Sequence, residues 1–314
     1  MTHFFRLYRE DLFRAYQRVS SSGKVLQTAS GQVEYSEFGE GPPILIVHGA
    51  GGGYDQGEYF GKLIGGDYRW IAPSRFGFLE SPVPSGANSS LQANAYAALL
   101  DALRIDRVAV IGVSMGGPST LLFARQYPQR TTSLVLVSAA SHAIPPRPAI
   151  LAALFNIFLN DFVFWSMVRF SPGALLAALG VPGEVQKQLA PEEVAELHAF
   201  LESILPMGAR RKGQNLEQHM SEYDAGQIKD IQAPTLVVHA RDDTLVAFEQ
   251  GEFSSRNIPG ARLVPMEQGG HLAMMLHRNA RARQQVQEFL EHYNNDEEIK
   301  MLTLQTKGDI VCEN

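Results

Sequence analysis

Short, fully apolar runs recur through the first 140 residues, each ending in a turn rich in glycine or polar side chains. Ile44 to Val47 runs into His48-Gly49-Ala50-Gly51-Gly52-Gly53, and Tyr68 to Ala72 into Pro73-Ser74-Arg75-Phe76-Gly77. Val108 to Ile111 runs into Gly112-Val113-Ser114-Met115-Gly116-Gly117, and Thr131 to Val137 (TTSLVLV) reads as the next buried strand. Strands without a polar alternation predict a sheet covered on both faces. Helical patterns over Leu91 to Leu103 and Pro118 to Gln126 separate these strands. Strands and helices in alternation predict an α/β fold with a mostly parallel, doubly wound sheet. Ahead of it, Lys24 to Thr28 and Gln32 to Phe38 flank Ser30-Gly31 and predict a hairpin.

The alternation stops after Ser141. Residues 142-226 contain helical segments at Ile150 to Leu159, Phe162 to Phe170, Ala174 to Leu179 and Glu192 to Leu205, punctuated by Pro and Gly, and no convincing strand. This segment is expected to be an inserted helical unit. Strand patterns resume at Thr235 to His239 and Ala261 to Pro265, and Arg278 to His292 closes the chain's helical pattern. The core is thus expected to comprise residues 21-141 and 227-293, with residues 294-314 as a tail. Residues 1-20 predict an amphipathic helix with Phe5, Leu12 and Tyr16 on one side and Arg6, Arg9, Arg14 and Arg18 interspersed. Packing on the domain or an oligomer contact is the expected role, ahead of weak contact with a membrane surface.

Composition narrows the function classes. The 314 residues are 45% hydrophobic and 19% charged, the balance of an ordinary globular chain. A net charge of -6 offers no basic face for nucleic acid. Cys312 is the single cysteine, so neither an internal disulfide nor a multi-thiolate site is available. The N-terminal region lacks a signal-peptide core, and the most apolar stretch, Ala149 to Phe170, is broken by Asn156, Asn160, Asp161 and Arg169. A cytoplasmic protein is expected, with membrane-peripheral attachment as the alternative.

The candidate chemistry starts at Ser114. A serine between two glycines, after an apolar strand and before a helix, predicts a sharp turn that lifts its Oγ out of the sheet. A hydroxyl is a poor nucleophile at neutral pH and requires a base and a group that orients the base. Two later strand ends offer them: Ala240-Arg241-Asp242-Asp243-Thr244, with two candidate acids, and Glu267-Gln268-Gly269-Gly270-His271-Leu272. No two of the remaining histidines have a convincing metal-ligand spacing with a carboxylate, so no metal and no cofactor are expected.

The motifs HGAGGG at 48-53, SRFGF at 74-78, GVSMGG at 112-117, HARDD at 239-243 and GGH at 269-271 stand in an order that resembles the α/β-hydrolase superfamily. The likeness is to its cap-bearing hydrolases, related to esterases, haloperoxidase-type perhydrolases and carbon-carbon bond hydrolases, and covers roughly residues 24-292. It implies the α/β-hydrolase fold with residues 142-226 as a helical cap. It further implies Ser114, Asp243 and His271 as catalytic residues, with Asp242 left as a turn or capping residue. His48 takes a structural role by the same likeness, and the backbone N–H groups of Ala50 and Met115 form the oxyanion hole.

The cap is rich in Leu, Ala, Phe and Met, which suits a small apolar acyl or aromatic substrate. Gly51, Met274 and Met275 are candidate pocket residues. Arg210, Arg211 and Lys212 could recognise a carboxylate, although a solvated charge cluster is expected. The leading function is a serine carboxylesterase. Carbon-carbon bond hydrolysis of ring-cleavage products and perhydrolysis use the same triad; Leu272 stands where the carbon-carbon hydrolases often carry an aromatic residue. A small-molecule receptor with little turnover is the alternative of another class.

Overall fold

The computed structural model describes residues 2–144, 149–220 and 223–294. Most of the expected tail, with Cys312, lies outside the described residues. The chain opens with helix α1 (Thr2–Ser21) and the hairpin β1 (Lys24–Thr28) and β2 (Gly31–Phe38). It continues through β3 (Pro43–Val47), α2 (Tyr54–Ile64), β4 (Arg69–Pro73), α3 (Ser89–Ala102), β5 (Val108–Val113), α4 (Gly117–Gln126) and β6 (Thr131–Val137).

Helices α5 (Ala149–Phe158), α6 (Asp161–Phe170), α7 (Pro172–Ala178), α8 (Gly183–Gln186), α9 (Pro191–Ser203) and α10 (Arg211–Met220) follow. The chain then returns to the sheet through β7 (Thr235–Ala240), α11 (Phe248–Asn257), β8 (Arg262–Met266) and α12 (Ala280–Asn294). Helices α2, α8, α10 and α11 have no counterpart in the sequence reading. Their polar content hides the apolar stripe: α10 reads RKGQNLEQHM and α11 reads FEQGEFSSRN.

The eight strands form one sheet in the order β1-β2-β4-β3-β5-β6-β7-β8. β1 with β2 and β2 with β4 pair antiparallel, and every other neighbour pair is parallel. The all-apolar strands bury both faces, as their lack of alternation requires. Ile44, Ile46, Val135 and Val137 pack on one side with Phe60 of α2 and Val286 of α12. Leu45, Val47, Leu134 and Leu136 pack on the other with Tyr96 of α3 and Phe123 of α4. Successive residues of one strand thus belong to opposite layers.

Helix α1 packs on the inserted helices through Phe4 and Tyr8, which meet Phe162 and Trp165 of α6. The side picked out by Phe5, Leu12 and Tyr16 is only partly covered: Phe5 stacks on Phe162 yet is 47% exposed, Leu12 is half-buried and Tyr16 is 42% exposed. Spacings of four and seven residues also link Phe4, Tyr8, Ala15 and Val19 on a neighbouring side, and that side found the apolar partner. Among the described residues no helix is long and apolar enough to cross a membrane.

A buried ionic cluster ties the inserted helices to the core. The Asp55 carboxylate, at the start of α2, accepts from Arg210 Nη1 and Nη2 at 2.9 and 2.7 Å and from Arg18 Nη1 at 2.7 Å. Arg210 also donates from Nε to Ile204 O at 2.8 Å. The expectation of a solvated cluster is therefore corrected at Arg210, which is fully buried, while Arg211 and Lys212 are exposed. Desolvating a guanidinium is unfavourable unless a carboxylate faces it, and Asp55, 155 residues away in sequence, supplies one.

Burial works against the Asp55 charge, but Arg210 and Arg18 outweigh it and bring the carboxyl down to about 2. A depressed folded-state value stabilises the fold above the unfolded value near 4 and loses that contribution as pH falls towards 2. About 1 kcal/mol of this loss falls between pH 5 and pH 3. Denaturant titrations at these two values are expected to show the parent losing that much more stability than Asp55→Asn. Equal losses would show that Asp55 does not titrate in this window.

Candidate active site

The turn after β5 places Ser114 at φ +51°, in the left-handed region that costs an L residue on the order of 1 kcal/mol. The chain enters a helical turn at Ser114–Gly116 and then α4. Close approach makes this geometry possible. A Cβ on Gly116 would stand 2.6 Å from Val47 O, and one on Gly49 would stand 2.9 Å from Ser114 Cβ. Any side chain at either position would push the β3 loop and the serine turn apart.

The other two residues come from the loops after β7 and β8, whose ends the parallel pairing through β6 brings to the same edge of the sheet as the end of β5. Ser114 Oγ–H donates to His271 Nε2 at 2.9 Å, and His271 Nδ1–H donates to Asp243 Oδ2 at 2.8 Å. Asp243 Oδ1 accepts from the backbone N–H groups of Leu245 and Val246, both at 2.9 Å. Burial disfavours the Asp243 charge, yet the His271 ring, the His239 N–H and the Val246 N–H hold the carboxyl well below the usual carboxylate range. It is therefore an acceptor throughout the neutral range and fixes the tautomer that leaves Nε2 free to take a proton.

Two residues adjacent to these acids and bases have supporting roles. Asp242 accepts from Gly269 N at 3.0 Å and Gly270 N at 2.9 Å, which pins the loop that carries His271. His239, whose supporting role sequence reasoning missed, is fully buried; its Nε2–H donates to Val246 O at 2.8 Å and stands 3.3 Å from Asp243 Oδ2. The signal was present as a histidine four residues before the acid at a strand end. His48 is held neutral, since burial and the Arg75 charge keep its imidazole well below the ordinary value. Its Nδ1–H donates to Gly49 O at 2.7 Å and its Nε2 accepts from Arg75 N at 2.9 Å, so it joins two loops. Arg75 is itself buried and paired with Glu217 of α10, another link to the inserted helices.

A cavity of about 80 Å³ opens beside Ser114 and His271. Its walls are mostly apolar: Phe60, Leu245, Leu272 and Met274 from the core, and Leu179, Phe200 and Ile204 from the inserted segment. Gly49, Ala50 and Gly51 line it on the β3 side, where Gln56 Oε1 accepts from Gly49 N at 2.7 Å and orders the loop. Met275 does not line it and is buried in the core. In the tight turn Gly270–Met275, neighbouring residues point about 120° apart, so facing Met274 to the cavity turns Met275 inward. The Met115 side chain packs with Ala140 and Val246. Gln56, Phe60, Leu179, Phe200 and Ile204 were not among the expected pocket residues: the first two lie on α2, which the sequence reading did not find, and the others reach the site from the inserted segment.

Among the described residues no group of three His, Cys, Asp or Glu side chains is placed to hold a metal ion. A strained serine at the elbow of an eight-stranded, doubly wound sheet defines a class of protein, and the comparison with known sequences agrees. The alpha/beta hydrolase fold family model matches residues 42–278, and the chain belongs to this family of hydrolases. It is 30% identical over 269 residues to Lipase 1 of Psychrobacter immobilis, covering 80% of this chain and 79% of that one. It is 26% identical over 267 residues to a 2-hydroxy-6-oxo-6-phenylhexa-2,4-dienoate hydrolase of Burkholderia cepacia, covering 79% and 88%. An alpha/beta hydrolase fold protein of Nakamurella multipartita superposes with a TM-score of 0.73 at 29% identity, covering 86% of this chain and 99% of that one.

Proposed function

We propose that the protein is a serine hydrolase acting on small carboxylic esters through an acyl-enzyme. The observation that carries this reading is the unbroken chain from Ser114 Oγ to His271 and on to Asp243, at 2.9 and 2.8 Å, opening on an apolar cavity. Ser114 Oγ attacks the ester carbonyl carbon while its proton passes to His271 Nε2. The oxyanion is met by the backbone N–H groups of Ala50 and Met115, the second at the N-terminus of a helical turn. His271 returns the proton to the departing alkoxide, leaving Ser114 acylated. A water then loses its proton to His271, attacks the acyl carbon and releases the acid, which restores Ser114.

The size of the cavity favours a short acyl or alkyl group. At about 80 Å³ it is far smaller than the several hundred Å³ that enclose a drug-sized ligand. A second reading, carbon-carbon bond hydrolysis, is favoured by the likeness to the Burkholderia cepacia hydrolase. A substrate that places a phenyl group inside this cavity would require Leu179, Phe200 and Ile204 to move aside. Rapid quenching of the protein with 4-nitrophenyl butanoate, followed by peptide mass analysis, is expected to find the butanoyl group on the peptide holding Ser114. Turnover with no acylated peptide, or acylation elsewhere, would remove the reading. Faster consumption of a vinylogous β-diketone than of any short ester would transfer it to carbon-carbon cleavage.

A further inference from the structure

Ser138 directly follows β6 and lines the cavity together with Ser114 and His271. It is 2% exposed, and among the described residues its Oγ has no hydrogen-bond partner. Its backbone is also strained, at φ +44°, where an L side chain is rarely placed. Both features destabilise the fold, and neither is compensated by a contact of the side chain. The backbone on either side is nevertheless held firmly. Ser138 N donates to Val238 O at 2.9 Å, and Ala140 N donates to Ser114 O at 3.0 Å, which couples this turn to the serine turn next to it.

The polar side chains of the cavity wall differ in what they already satisfy. Ser114 and His271 bond to each other, and Gln56 Oε1 is taken by Gly49 N. Ser138 alone among these four presents a buried hydroxyl without a protein partner among the described residues, and the other side chains of the wall are apolar. A donor fixed one strand from the nucleophile discriminates strongly for an acceptor atom, because an apolar group in its place leaves the hydroxyl unpaired.

We propose that Ser138 is a specificity-determining residue whose Oγ–H donates to an oxygen atom of the substrate close to the scissile bond. The preferred class is then a small ester with an ether, hydroxyl or keto oxygen in its acyl or alcohol part, rather than a plain hydrocarbon ester. This rests on the hydrolytic reading of the same cavity.

Two pairs of near-isosteric substrates test it, each differing by one CH₂ replaced by oxygen: 4-nitrophenyl butanoate against 4-nitrophenyl methoxyacetate, and butyl acetate against 2-methoxyethyl acetate. After each kcat/KM is divided by the spontaneous hydrolysis rate, the parent is expected to prefer the oxygenated member of at least one pair about tenfold, the worth of one hydrogen bond. Ser138→Ala is expected to remove that preference. Ser138→Gly, which accepts the positive φ, is expected to do the same, and neither should lower Tm. Retention of the preference in both variants, or no preference in either pair, overturns the proposal. Should the parent hydrolyse none of the four, the hydrolytic reading fails and the hydrogen bond is read separately. Saturation-transfer NMR of Ser114→Ala and Ser114→Ala/Ser138→Ala with the two acetates then decides it, by a preference for 2-methoxyethyl acetate that the second change removes, or by its absence.

Discussion

Ser114→Ala is expected to lower kcat for a short-chain ester by on the order of 10⁴-fold or more, with the fold intact. The alanine methyl keeps the shape of the turn while removing the hydroxyl oxygen that is bonded to His271 Nε2 and would attack the ester carbon. The residual rate measures what the backbone N–H groups and the cavity achieve by binding alone, which is worth about 10³- to 10⁴-fold over water. Stability is expected to hold, because the residue at φ +51° remains an L residue of similar size. Steady-state hydrolysis of 4-nitrophenyl butanoate with a parallel thermal melt checks both statements. A variant as active as the parent would mean that the strained serine is not the nucleophile.

The second large effect is at Asp243. Asp243→Asn is expected to reduce kcat by on the order of 10⁴-fold through the wrong tautomer rather than through lost structure. An asparagine carbonyl oxygen in the place of Oδ1 keeps the two backbone donors, Leu245 N and Val246 N. Its NH₂ group then faces His271 Nδ1 and donates to it, which moves the ring proton to Nε2 and leaves no lone pair for the Ser114 hydroxyl. Asp242→Asn provides the contrast, since the Asp242 carboxylate accepts from the amides of Gly269 and Gly270 rather than from His271. Its effect is expected to be far smaller. Comparable losses in the two variants would reverse the assignment of the acid.

The strands and the serine turn were legible because their information is local. An unbroken apolar run needs two covering layers, and a glycine on each side of Ser114 allows the only backbone that joins that strand closely to a helix. The choice between Asp242 and Asp243 was legible only through the likeness to a family, since both acids share one turn. Three-dimensional packing separates them by directing one carboxylate to the imidazole and the other to the loop that carries it. Arg210 was misread for a related reason. An arginine beside Arg211 and Lys212 resembles a solvated cluster until Asp55, from another element, is brought against it.

The sequence by itself determined the layer order, the elbow at Ser114 and the order of the catalytic motifs, because hydrophobic periodicity and turn chemistry act over a few residues. The tertiary structure alone decided the size of the cavity, the burial of Arg210, the inward turn of Met275 and the unpartnered hydroxyl of Ser138. These depend on which side chains from distant elements meet, and a burial or pairing energy exists only once both partners are in place.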